Sequence, residues 1–215
     1  MKPSELTLKF GIWTSAIGIL MGAIYLVALA AAAVSPMGFP PVEPYDTLIS
    51  AITLISASGI LVLFAVIDVY VQGERQVFGR IALVFATLFA GMTSINRFVH
   101  LAVVRPALAA GQTAGLEWFL PYGSPSVMLG LELLAWSFFL GLAFLFAAPV
   151  FAGRRLERAL FWVAFINGIL CLISTLTPLT GIVLFTFMGV LAWGPGFILF
   201  CALLILMFRN KLVEL

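Results

Sequence analysis

Charge is scarce in this chain. Asp, Glu, Lys and Arg make up 9% of its 215 residues, where a soluble domain carries roughly a quarter. The net charge of +2 is too small and too scattered for a basic nucleic-acid stripe or an acidic disordered tail. Histidine occurs once, at His100, so one chain builds neither a bis-histidine haem site nor a multi-histidine zinc site. The only lysines, Lys2, Lys9 and Lys211, are terminal, which excludes a retinal-type Schiff base inside the bundle. Cys171 and Cys201 both fall in apolar runs and read as buried thiols acting as small hydrophobes rather than as a disulfide. There is no HExxH, CxxC or P-loop pattern, no GxSxG elbow around Ser124 or Ser126, and no acid ring or filter-like carbonyl run of the kind channels use. No cofactor and no metal is expected.

Apolar side chains are abundant instead, at 63% with a mean hydropathy of +1.20. Only lipid is a plausible solvent for so much apolar surface. Runs near 20 apolar residues predict helices at about 10–34, 47–71, 80–104, 126–150, 158–177 and 183–208. The chain therefore reads as a single all-α transmembrane domain over 1–215, a polytopic bundle of six transmembrane helices. The first run follows Lys2 and Lys9 and ends in alanines, like a signal peptide, but it exceeds an h-region of about 7–15 residues and reads as a retained span. Pro-rich 35–45 and mixed-polarity 105–126 separate the spans, and 177–181 (Thr-Pro-Leu-Thr-Gly) reads as a tight turn.

The connections sort by charge. Lys2, Lys9, Arg75, Arg80, Arg154, Arg155, Arg158, Arg209 and Lys211 fall on one side and Arg105 alone on the other. This positive-inside bias places both termini in the cytoplasm and, with such short loops, suits a bacterial inner membrane. Tyr45, Trp118 and Tyr122 sit where the outer interface should be. Ser15, Gly18 and Gly22 give the first span a small-residue face for close packing, and Ser50, Thr53 and Ala57 do so for the second.

Four ionisable residues lie at membrane depth: Asp68, Arg97, His100 and Glu132. Each costs about 2.5–3.5 kcal/mol near the bilayer centre on insertion scales, so each needs a partner or a purpose. At about 100° per residue Thr93, Asn96, Arg97 and His100 form one stripe on the third span. Arg97 lies roughly 10 Å below that span's outer end, and Glu132 roughly 9 Å below that of the fourth. Equal depth and opposite charge predict an Arg97–Glu132 pair with Asn96 and His100 beside it. That group reads either as a clamp between two helices or as a pocket that receives a ligand head group. Asp68, one turn from the inner end of its span, is expected to reach the interface or to pair with Arg75 or Arg80.

A second feature is the break Ala192-Trp193-Gly194-Pro195-Gly196 in the last span. Proline removes a donor and glycines loosen the chain. With Asn167 at similar depth this is either a kink repaired by neighbours or a midplane site with freed carbonyls.

Three functions fit these residues. The foremost is a non-enzymatic protein that binds or transports a small amphipathic molecule or lipid at the outer polar cluster. The second is an accessory subunit of a larger membrane complex, and the third an intramembrane enzyme acting on a lipid-soluble substrate with His100 and Glu132 as acid and base. The expected partners are the bilayer, the amphipathic ligand and, under the second reading, other membrane proteins or further copies of the chain. Nucleic acid is not among them.

Overall fold

The computed structural model describes residues 4–38, 40–121, 125–153, 155–182 and 184–214. Lys2, Tyr122, Ser124 and Arg154, which enter the topology, interface and nucleophile arguments above, lie outside them. Six helices are long and apolar enough to cross a membrane: α1 Glu5–Val34, α2 Tyr45–Tyr70, α3 Gly73–Ala109, α4 Val127–Val150, α5 Arg155–Thr180 and α6 Leu184–Val213.

Several helices outrun the apolar runs that predict them, because polar residues also cap and extend a helix. The Ser4 side chain accepts from the Thr7 N–H at 3.1 Å, and Glu5 pairs with Lys9 one turn on at 2.6 Å, so α1 starts in polar sequence. Ser126 caps α4 likewise, accepting from the Leu129 N–H at 3.2 Å. Two expectations need correction. Arg105 is not in a loop, since α3 continues to Ala109 through a π turn, His100–Val104, in which the Arg105 N–H reaches the His100 carbonyl. The wider turn accommodates Pro106, which has no N–H to give. Residues 177–181 are likewise no simple tight turn: Thr177–Thr180 form a further helical turn of α5, ended by Gly181 at φ +72°, a left-handed position that favours glycine.

Each helix packs on its chain neighbours, and α6 returns to α1, so the six close into a ring in chain order. The closure uses the small-residue face of α1. A Cβ on Gly18 would stand 3.0 Å from Cys201 Sγ, and one on Gly22 3.0 Å from Ile198 Cγ1, so these glycines set how closely α1 and α6 approach. Ser50, Thr53 and Ala57 of α2 are buried as expected. Both cysteines are buried and free.

The ring has two ends, one carrying the termini and the other the 35–44 and 110–126 connections. Toward the termini its centre is filled by fully buried Phe64, Phe144, Phe151, Phe200 and Phe208. Their rings meet mostly edge to face, Phe144 with Phe64 at 5.7 Å and with Phe200 at 5.4 Å, and Phe200 with Phe151 at 5.8 Å, the geometry aromatic quadrupoles prefer. Asp68 closes this end as expected, with Arg80 Nε 3.4 Å from its carboxylate. The other end carries the polar residues.

Candidate functional site

The α3 stripe faces inward: Thr93, Asn96, Arg97 and His100 are all buried. Arg97 forms an ion pair with Glu132 of α4. Asn96 Nδ2 donates to the other Glu132 oxygen at 2.8 Å and to the Met128 carbonyl at 3.2 Å. One side of the carboxylate is thereby held by two donors from α3. Thr93 lies one turn below, and its hydroxyl has no hydrogen-bond partner among the described residues.

His100 does not join Glu132. Its Nε2 lies 2.8 Å from Asp46 Oδ2 in the first turn of α2, so the stripe is divided between two helices. Nearer the loop end, Arg105 pairs with Glu43, whose carboxylate also accepts from the Thr47 hydroxyl at 2.7 Å. The Thr47 hydrogen bond, helped by Arg105, holds the Glu43 carboxyl below its ordinary range. From the loop end inward there is thus a ladder of acid–base pairs, from half-exposed Glu43–Arg105 through Asp46–His100 to Glu132–Arg97.

Beyond the last rung lies a small cavity between α1, α2, α4 and α6. Its volume is about 30 Å³, space for about two water-sized groups. Glu132 and Trp136, one turn apart on α4, form one wall, and Trp193 and Phe197, one turn apart on α6, form another. Tyr25 of α1 and the hydroxyl residues Thr53 and Ser56 of α2 complete it. The Trp136 and Trp193 rings are 5.6 Å apart, and Tyr25 meets Trp193 edge-on at 6.2 Å. The Glu132 side chain is 22% exposed against 6% for Arg97, and of the two only Glu132 lines the cavity.

The break in α6 is not an unwound segment. Ala192–Gly196 form a second π turn and the helix runs on through Pro195. The Leu191 carbonyl, which Pro195 cannot serve, lies 2.9 Å from where a Gly196 Cβ would stand, and the Asn167 side-chain oxygen is closer still. Gly196 is therefore the residue that lets Asn167 of α5 lie against the turn. Gly194 packs on Leu26 of α1, a Cβ there standing 3.0 Å from that side chain. Of the proposed midplane group, Trp193 alone turns to the cavity; Asn167, Gly194, Pro195 and Gly196 do not line it. A third π turn, Leu134–Phe139 in α4, contains Trp136. Each π turn thus sits beside the polar ladder or the cavity, where such turns often occur.

A larger cleft of about 320 Å³ opens at the termini end, beside Tyr70, Arg75, Glu157, Lys211 and Glu214. Its charges are engaged with their neighbours. Lys211 lies 3.3 Å from Glu214 and 3.9 Å from Glu157, and Arg75 donates to the Ala152 carbonyl at 2.6 Å. The smaller cavity differs in its lining, four aromatic residues with one acidic residue, Glu132.

Sequence reasoning missed Asp46, Trp136 and Tyr25. Trp136 was open to inference as the residue one turn after Glu132, and Tyr25 as a polar aromatic within an otherwise apolar run. Compared with protein-family models, curated proteins and solved structures, the chain matches none.

Proposed function

We propose that the chain is a multi-pass protein of the bacterial inner membrane, with both termini cytoplasmic, that binds or transports a small amphipathic molecule from the outer half of its bundle. The charge bias of the connections supports the orientation and makes the loop end the outer one. The observation that carries the functional reading is Glu132. A carboxylate at membrane depth serves as a plain clamp when its cation encloses it. Here Arg97 and Asn96 hold Glu132 from α3, and Glu132 also lines the cavity. In this reading Arg97 and Asn96 orient the acid, the Tyr25, Trp136 and Trp193 rings receive the apolar part of the ligand, and Thr53 and Ser56 offer further hydrogen bonds. His100 and Thr93 hold the α3 stripe in register around the site.

Binding and movement call for different things of the bundle. Binding needs only the cavity. Movement also needs a path past Phe144 and Phe200, which connect Phe197 at the cavity to Phe151 at the opposite cleft by edge-to-face contacts.

Native mass spectrometry of the protein extracted gently from its own membrane tests the reading. A reproducible small-molecule adduct that disappears in Glu132→Gln, while the folded protein persists, is the expected result. A stoichiometric protein partner with no adduct would recast the chain as an accessory subunit and the ladder as internal bracing. Reporter fusions at the C-terminus test the orientation, with a cytoplasmic signal expected.

A further inference from the structure

We infer that the ligand group received by the cavity is a small alkylammonium head. The inference rests on the reading of the cavity as the ligand site and adds the sign of the charge. Three observations carry it.

The first is the chemistry of the walls. Tyr25, Trp136, Trp193 and Phe197 surround the space with aromatic rings, whose negative faces attract cations. The Trp136 and Trp193 N–H groups, which would favour an anion, are buried and have no hydrogen-bond partner among the described residues. On the Trp193 side the indole nitrogen lies toward Gly189, where a Cβ would stand 2.9 Å from it. The second is the carboxylate. Each Glu132 oxygen accepts one bond from α3 and retains a further lone pair for a donor in the cavity. An ammonium group has donors and no acceptors, the complement of that surface. The third is size: about 30 Å³ suits two heavy atoms, an ammonium nitrogen and one carbon.

The test titrates the purified protein with methylammonium chloride, following tryptophan emission and melting temperature. Sodium chloride, methanol and sodium formate serve as probes for ionic strength, for a neutral molecule of the same size and for an anion. The expected result is a saturable emission change and a raised melting temperature with methylammonium alone, since a ligand that binds only the folded state stabilises it. Glu132→Gln should abolish the response. Phe197→Leu, which keeps an apolar wall and removes one ring, should weaken binding roughly tenfold and leave the fold intact. A saturable response to methanol or formate that equals or exceeds the methylammonium response would overturn the inference and leave the cavity reading standing. Silence from all probes would overturn both.

Discussion

The two halves of the ring solve the same packing problem in opposite ways. Toward the termini, the centre is a stack of phenylalanines, with Tyr70 meeting Phe208 edge-on at 5.5 Å and Asp68 closing the end. Toward the loops, the same helices contribute a ladder of acid–base pairs, a cavity and three π turns. A bundle that needed only to hold together would use the phenylalanine solution throughout, since well-packed apolar side chains stabilise at least as well as buried ion pairs. The departure from it at one end, and the residues that make the departure, are what point to a task there.

The sharpest way to break this contrast is to remove one member of the innermost pair. Arg97→Ala leaves the Glu132 carboxylate without its cation and should cost about 3–5 kcal/mol in unfolding experiments. Arg97→Met combined with Glu132→Leu should recover most of that loss. A single variant as stable as the parent would mean that the pair does not brace α3 against α4. Next in size is Phe200→Ala in the solid half, expected to cost about 3 kcal/mol through the void it leaves. In sealed vesicles the same variant should raise passage between the two cavities if a path runs along the phenylalanines, and unchanged passage would confine the protein to binding. Asp46→Asn keeps the shape of the second rung and removes its charge. It should cost about 1–2 kcal/mol and shift the His100 ring resonances in NMR spectra, whereas unshifted resonances would refute the contact. The smallest effect belongs to the outermost rung. The Glu43 carboxyl is lowered from its ordinary value, so its contribution is present above the unfolded value and is lost as pH falls through the folded one. Because Glu43 and Arg105 are about half exposed, that contribution should stay below about 1 kcal/mol. Arg105→Gln should reduce the acid sensitivity of melting slightly and only in low salt.

Much of this arrangement was legible in the sequence, in proportion to how local each signal is. Arg97 and Glu132 could be matched because helical rise converts position into depth, and at equal depth opposite charges attract. The inward stripe followed from the spacing of Thr93, Asn96, Arg97 and His100. His100 was expected beside the Arg97–Glu132 pair, whereas its partner is Asp46. Asp46 precedes the apolar run from which the second span was read and so seemed to belong to a connection, whereas it occupies the first turn of α2. No periodicity encodes a contact between residues 54 apart in the chain. Trp193 was noticed for the break it sits in rather than for the wall it forms, because its direction depends on how the π turn rotates the helix. The small face of α1 was visible as a packing surface, but that α6 is the helix it receives follows from ring closure, which no single segment contains.

The three π turns have a mechanical consequence. By helical rise they lie roughly 8–18 Å from the loop ends of α3, α4 and α6, all in the half above the phenylalanine stack. A π turn opens the tight hydrogen-bonded spiral by one residue, so a helix bends more readily there than along regular turns. A belt of such joints over a stiff base makes each outer helix segment a short lever. A tilt of about 10° on an arm near 15 Å moves its tip by roughly 3 Å. Under the proposed binding role, that is enough to widen the small cavity into a passage for a larger molecule while the base beneath stays shut.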